Sequence, residues 1–357
     1  MADKQPLMKM LRSRYRERRL NVWRLEGKER CSNEPLTILY AGHELNKNYI
    51  AYLAYGEDYE EANPGRAWIG KMIKSAHRSD GDQFFIVETA ERDYHRFNIP
   101  GSFYIPCWVD GEIDFDQFDT LIRGESVRGD LRRIRKYGLD FEVTKDREKF
   151  DLFYHHMYKP YIMNAHGNRA ALMSYEGMMG RYVRSELVLI KRDGKYIAGS
   201  NLIYQDGDVR AWSLGVLDGD YRYVKEGAIG ALYYYKMKYL RERGYRHVEA
   251  GASRAFLKDG VLCFKKKWDM RLTSGRSSGF WIRPIGGDEG VAAFLRNNPF
   301  IYQKEDGLYG VVFLTADQPG TGDMVGHLRK SYGMRGMSGI DMYLSDDGYH
   351  FQGSITL

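Results

Sequence analysis

The chain has 357 residues, 43% of them apolar, with 54 Lys/Arg against 48 Asp/Glu. That length is ample for a buried core and suggests two domains. No apolar run approaches the ~20 residues of a membrane span, no apolar signal region opens the chain, and Cys31, Cys107 and Cys263 are too isolated for a disulfide framework or a metal knuckle. These features predict a soluble, cytoplasmic protein.

The net charge of +6 is concentrated in residues 1–30, which hold ten Lys/Arg and four Asp/Glu. Leu7, Met8, Leu11 and Tyr15 recur there at helical spacing. A basic amphipathic segment of this kind suits the phosphates of tRNA or an anionic membrane surface. A solvated helix lying on the protein body is the other reading.

Next come two predicted strands, "PLTILYAG" (35–42) and "NYIAYLAYG" (48–56). The spacing predicts a helix over 65–81, a buried strand over 82–90 and another over 101–109, with Pro106 marking an edge or bulge. A clear helix spans 124–138. Val127, Leu131 and Ile134 line one face, and Gly138 stops it. Its second stripe, Arg128, Arg132 and Arg135, suits an anion or is simply a solvated face relieved by Glu125 and Asp130. Another helix starts at an Asp146 N-cap and is expected to end at Pro160.

Residues 185–218 read as three strands joined by Asp193–Gly194 and Asp206–Gly207 turns. A helix over 226–243 follows, with Ala228, Ala231, Leu232, Tyr235 and Tyr239 on one face and Gly244 as its stop. The strand "RHVEAG" then leads into "GASRAFLKDGVLCFKKKWDMRL" (251–272), where Lys265, Lys266 and Lys267 lie between Phe264 and Trp268. Beyond residue 280 the strand-like runs 309–316 and 340–345 flank a helix over 323–333. The order implies an α/β protein, a mixed sheet with helices packed on it.

Residues from about 100 to 275 resemble the FemAB-like branch of the GNAT acyltransferase superfamily, which includes the peptidoglycan-bridge aminoacyltransferases and BioF2-like acetyltransferase domains. Four pieces carry this: "FYIPCWV" (103–109), "SVRGDLRRIRKYGLDFEVTKD" (126–146), "FYHHMYKPYI" (153–162) and "GYRHVEAGASRAFLKDGVLCFKKKWDMRL" (244–272). The resemblance implies a GNAT-like fold, with two such domains in tandem. The expected division is a basic segment (1–30), a degenerate GNAT-like domain (31–125), a GNAT-like acyltransferase domain (126–279) and an extension (280–357) completing the sheet.

The resemblance also implies an acyl or aminoacyl group moved from acyl-CoA or aminoacyl-tRNA to a small-molecule or peptide amine. No tightly bound cofactor, no metal and no DNA partner are expected. The alternative is an inactive GNAT-like scaffold that binds an anionic ligand or partner. In FemAB-like enzymes a lysine beside an aromatic residue stabilises the tetrahedral oxyanion. "CFKKKW" resembles that segment, so Lys265 is the first candidate and Lys267 the second.

The donor-phosphate loop of CoA-dependent relatives falls on "YRYVKEGAIGALYY" (221–234), whose spacing departs from theirs. Arg222, Gly227 and Gly230 are its donor-binding candidates, joined by Arg254 and Lys258, which suit a donor phosphate, an acidic group of the acceptor, or surface ion pairs with residues such as Asp259. The two glycines can equally serve close helix packing. A catalytic base is expected at His156, beside His155. Tyr158, Tyr161, His166, Arg169 and Trp268 complete the set as acceptor-binding or wall residues. Arg254, Lys258 and Lys265 are expected together beside the start of the 226–243 helix.

Overall fold

A computed structural model describes residues 19–72, 84–90, 101–275, 278–284, 288–316, 322–345 and 348–357. The chain opens with β1 (Arg19–Lys28), β2 (Pro35–Gly42), α1 (Glu44–Tyr55), β3 (Tyr59–Trp68), β4 (Phe84–Ala90), β5 (Phe103–Pro106) and β6 (Val109–Asp114). It continues through α2 (Phe118–Arg123), α3 (Glu125–Lys136), β7 (Asp140–Thr144), α4 (Arg147–Phe153), a π turn (Tyr154–Tyr158), α5 (Lys159–His166) and α6 (Tyr175–Met179). The meander β8 (Ser185–Arg192), β9 (Lys195–Gln205) and β10 (Asp208–Val216) precedes α7 (Tyr221–Lys225), α8 (Ala228–Glu242) and β11 (His247–Glu249). Then come α9 (Gly260–Lys267), β12 (Arg271–Gly275), β13 (Ser278–Arg283), α10 (Glu289–Asn297), β14 (Phe300–Lys304), β15 (Gly307–Leu314), α11 (Gly322–Tyr332), β16 (Gly339–Leu344) and β17 (His350–Thr356).

Three sheets result. The first has the order β3-β1-β2-β4-β13-β5, the second β12-β6-β11-β10-β9-β8-β7 and the third β14-β15-β16-β17. The chain passes between the first two sheets twice at one corner. The β5-to-β6 passage runs through Cys107 and Trp108, and Cys107 N donates to Ser278 O at 2.9 Å beside the β12-to-β13 passage. The mixed α/β architecture expected from the sequence is therefore present, and the second sheet is the one that the GNAT-like reading addresses.

Several expectations change. Residues 19–28 of the basic segment form β1, paired with β2 and β3, so the first strand begins earlier than expected; residues 1–18 lie outside the described residues. The predicted strand 48–56 belongs to helix α1, because Ile50, Ala51, Ala54 and Tyr55 form one buried helical stripe. The predicted helix 65–81 begins in strand β3, and residues 73–81 of it lie outside the described residues. Pro160 does not end its helix. It occupies the first turn of α5, directly after the π turn, where a missing N–H costs little.

Residues 280–357 do not complete the second sheet. Strand β13 joins the first sheet, and β14–β17 form their own. Phe103 of β5 seats the third sheet, its ring centroid 5.2–5.8 Å from Phe300, Tyr302, Phe313 and Tyr343. Each such aromatic pair adds about 0.5–1.5 kcal/mol beyond area burial.

Helix α8 connects the parallel strands β10 and β11 and buries Ile229, Leu232, Tyr233, Lys236, Met237 and Leu240. Its buried face is centred on these residues rather than on Tyr235 and Tyr239, whose hydroxyls bond Leu139 O and Glu186 at the helix edge. Helix α3 closes over the first turn of α8. A Cβ on Gly230 would lie 2.7 Å from Asp130 Cβ, and one on Gly227 (φ +99°) 2.7 Å from Arg133 Cβ. Gly230→Ala should therefore cost about 1–3 kcal/mol through overpacking of the α3–α8 contact, measured by urea unfolding. An unchanged midpoint would show slack in that contact.

Lys236 is wholly buried, and its Nζ donates to Ser200 Oγ at 3.0 Å. Burial first, and the charge of Lys265 second, bring its pKa down to about 7. Unfolding returns it to the ordinary lysine value, so between pH 7 and that value the unfolded chain binds the extra proton and stability rises with pH. Lys236→Met should stabilise the fold at pH 6.5 by on the order of 2–4 kcal/mol, with the gain shrinking towards pH 10. Paired urea titrations across that range check this, and a gain independent of pH would refute it.

Candidate active site

The second sheet is split at its centre. Strands β10 and β11 run parallel but share one register pair, Arg210↔Glu249. Beyond it β10 stays with β9, while the other chain follows β6. Ala250 N bonds Gly111 O at 2.8 Å, and Ser253 and Val109 exchange bonds of 2.8 and 2.9 Å. A bulge between Ala211 and Ser213 makes Trp212 the extra residue on β10 and adds local twist. The two strands thus leave a V-shaped opening.

Helix α9 faces this opening. Asp259 caps it, its Oδ1 accepting from Val261 N and Leu262 N at 3.0 Å each. One turn on, Lys265 is 4% exposed, and its Nζ donates to Gly251 O at 2.8 Å and Ala252 O at 2.9 Å. The ammonium therefore sits on the segment that turns away from β10. Lys236 approaches from α8, bonded to Ser200 Oγ, which donates to Ser213 O at 2.8 Å.

The three consecutive lysines separate. Lys266 Nζ donates to Lys330 O and Ser331 O on α11. Lys267 pairs with buried Asp130 of α3 and lies 4.2 Å over the Phe264 ring. Trp268, expected to wall a site, is fully buried, 5.8 Å from the Tyr233 ring, as core packing. Lys267 and Trp268 thus hold α9 to the body, while Lys265 alone of the run turns to the opening.

The other candidates divide. Gly227 and Gly230 face α3, so packing explains them and they offer no open anion cradle. Arg222 is exposed and paired with Asp220. Lys258 points away from Arg254, its Nζ donating to Asn297 O at the end of α10. The expected grouping of Arg254, Lys258 and Lys265 therefore loses Lys258. His156 is exposed, 3.7 Å from Asp218, which leaves it on the surface rather than in the opening. Tyr158 is buried, and its hydroxyl accepts from Met173 N at 3.1 Å. Tyr154 donates to Met173 O at 3.0 Å, so the pair pins the 170–174 strap. Tyr161 is half-buried, its hydroxyl pKa raised by burial.

Arg254, His166 and Arg169 meet at the seam between the first two sheets. Arg254 is buried, its guanidinium carbon 3.8 Å from the Trp108 ring and 4.4 Å from the Tyr49 ring. Arg169 lies 3.5 Å over Tyr52 of α1, with Nη1 3.4 Å from Glu57. Burial holds the His166 pKa down, against the opposing field of Asp259 and with the help of Arg169 and Arg254. Burial also raises the Asp259 carboxyl.

Sequence reasoning missed what lies behind Arg254. Its Nη1 donates to Asn46 Oδ1 at 2.7 Å, and Asn46 Nδ2 donates to Glu88 Oε1 at 3.0 Å. Glu88 also accepts from Tyr40 Oη, His43 N and His43 Nδ1 at 2.7–2.8 Å. Burial alone would raise the Glu88 carboxyl; the bonds from His43 outweigh it and lower the pKa, while Glu88 raises that of His43. No local signal marks this relay, since its members come from β2, α1, β4 and the segment before α9.

On the face of β9 and β10 that meets the π turn, a cleft of about 410 Å³ is lined by Trp212, Met173, Arg181, Arg184, Arg210 and Glu249, among others. Arg181 lies 4.8 Å over Trp212. On the same strand face, Asn201 pairs in register with Ser213. Among the described residues the buried polar atoms of both side chains lack hydrogen-bond partners. The cleft approaches the bulge from the side opposite α8.

No family model matches the sequence, and no curated protein is significantly similar to it. Among solved structures the chain is similar to L-PGS from Bacillus licheniformis, at 14% identity over 72% of this chain and 83% of that one, with a TM-score of 0.35. It is similar to FemX, at 12% identity over 72% and 83%, with a TM-score of 0.37. It is also similar to a GCN5-related N-acetyltransferase-like protein from Streptococcus suis, at 11% identity over 72% and 82%, with a TM-score of 0.30.

Proposed function

We propose that this chain is an acyltransferase that moves an acyl or aminoacyl group from an activated donor to an amine. The observation that carries this reading is the buried Lys265 ammonium, fixed by two backbone carbonyls at the opening between β10 and β11.

The chemistry asks for little covalent machinery. The amine attacks the donor's acyl carbonyl, a C–N bond forms, and the C–S or C–O bond to the donor breaks. The amine's proton ends on the departing thiol or hydroxyl. Between these steps the carbonyl oxygen carries a negative charge. A preorganised ammonium in a water-poor site stabilises that charge far better than one in bulk water. The two carbonyl bonds hold the Lys265 nitrogen in place, so little reorganisation is needed as the charge develops. The acceptor would enter by the cleft beside Trp212.

The first turn of α8 favours an aminoacyl-tRNA over acyl-CoA as donor. Its N–H groups are the natural cradle for a pyrophosphate, yet Arg133 of α3 lies against Gly227 there. Exposed Arg128, Arg132 and Arg135 on α3 would instead meet the phosphates of a longer polyanion.

The test is a transfer assay with labelled aminoacyl-tRNAs and acyl-CoAs against a panel of amines. Lys265→Ala should lower kcat about a hundred- to a thousandfold with KM nearly unchanged, because its partner charge exists mainly in the transition state. Circular dichroism checks that the variant folds, since two carbonyls lose their donor. Full turnover in a folded Lys265→Ala protein refutes the reading, as does a wild-type chain inert with every donor.

A further inference from the structure

We infer that Arg254 forms a preformed carboxylate subsite at the seam between the first two sheets, and that the acceptor amine carries the carboxylate. The inference rests on the acyl-transfer reading only for which ligand brings the anion.

A guanidinium that is 5% exposed needs a counter-charge, because removing it from water costs several kcal/mol. Among the described residues no carboxylate touches Arg254. Its polar partners are a neutral amide, Asn46 Oδ1 at 2.7 Å, and a carbonyl, Cys107 O at 3.4 Å, both on Nη1. Asp259, whose charge reaches Arg254 without contact, accepts instead from Val261 N, Leu262 N and the Tyr49 hydroxyl at 3.5 Å. Among the described residues the cation is therefore buried with no carboxylate in direct contact.

The geometry leaves one direction for a ligand. Trp108 and Tyr49 occupy ring positions close to the guanidinium carbon, and Nη1 is used. That leaves the in-plane edge made by Nε and Nη2. Neither has a protein acceptor among the described residues. Two parallel N–H groups along one edge match the two oxygens of a carboxylate.

Asn46 explains why the edge stays in place. Its amide is itself held by Glu88, so the guanidinium cannot swing without breaking a buried chain of bonds. An asparagine at this position orients the cation without neutralising it, which an aspartate would do. The subsite lies two residues beyond Ala252, whose carbonyl holds Lys265. An amine whose carboxylate is a few bonds away could thus bond Arg254 while its nitrogen reaches the opening. Free amino acids and short peptides with a nearby C-terminus have that form.

The experiment is ligand-observed NMR on the full chain in Hepes buffer. The probes are acetate, its neutral isostere acetamide, and inorganic phosphate. Acetate should bind and acetamide should not. Arg254→Lys, which keeps the charge and loses the fork, should weaken acetate roughly ten- to a hundredfold. Equal binding of acetamide, or unchanged acetate affinity in Arg254→Lys, overturns the subsite. Phosphate binding about tenfold or more tighter than acetate overturns the carboxylate assignment. If Arg254→Lys does not fold, isotope-labelled arginine in the wild type gives the answer. The slowly exchanging Nε–H signal of a buried arginine must shift on adding acetate, and a static signal overturns the subsite. A chain that binds acetate but transfers no acyl group keeps the subsite and loses the acyl-transfer reading. One that transfers but treats acetate and acetamide alike loses the subsite alone.

Discussion

Backbone groups leaving a sheet must find new partners, and that requirement shapes the centre of this molecule. Where the chain after β11 parts from β10, every buried N–H and C=O on the diverging segment needs a bond. Strand β6 supplies several, through Gly111 and Val109. The carbonyls of Gly251 and Ala252 turn the other way, and Lys265 answers both. A neutral donor could satisfy the carbonyls, but only a cation also leaves a positive field in the opening. Structural need and chemical use meet in one side chain, so its removal must be tested for folding as well as for turnover.

The same corner couples the two larger sheets. Cys107 and Trp108 lie where the chain passes from one sheet to the next, and Arg254 binds both, through the Cys107 carbonyl and the Trp108 ring. From there the bonds run into the first sheet through Asn46 to Glu88 and His43. The first sheet, which keeps no opening of this kind among its described strands, thereby acts on the second by fixing one of its cations. Lys47 of α1 adds to the rigidity, paired with Glu61 and 5.6 Å over Trp23. A displacement of α1 would reach Arg254 through Asn46 and Tyr49 together.

Much of the second sheet was legible because its signals are local. Asp193 and Asp206 adopt the positive φ that their Asp-Gly turns require, and Asp146 accepts from Lys149 N as the N-cap. Helix α1 was misread because "NYIAYLAY" is rich in strand-forming aromatics, while its stripe at i, i+1 and i+4 shows only against a known core. Strand β1 was hidden by charge: in "RLNVWRLEGK" only Val22, Trp23 and Leu25 turn inward. The eight-residue helix α9 carries its lysines at the C-terminal end, where they complement the dipole, and its N-cap Asp259 is plain only afterwards. Lys265 came from resemblance. The surroundings of Arg254 could not be read at all, since Asn46 lies 208 positions away.

The run of three lysines against aromatic residues is then a matter of helix geometry. Successive side chains on a helix diverge by about a third of a turn or a little less, so three neighbours address three surroundings. Lys267 goes to Asp130 and thereby holds α9 against α3, which also covers the start of α8. Lys266 goes to the carbonyl end of α11 and ties in the third sheet. Lys265, between them, is carried inward. Two lysines anchor the helix on either side and the third is aimed by them, with Phe264 and Trp268 packed on Tyr233 to exclude water from the stem. The arrangement also bears on Lys236: burial first, and the neighbouring Lys265 ammonium second, make its amine give up a proton more readily than an ordinary lysine.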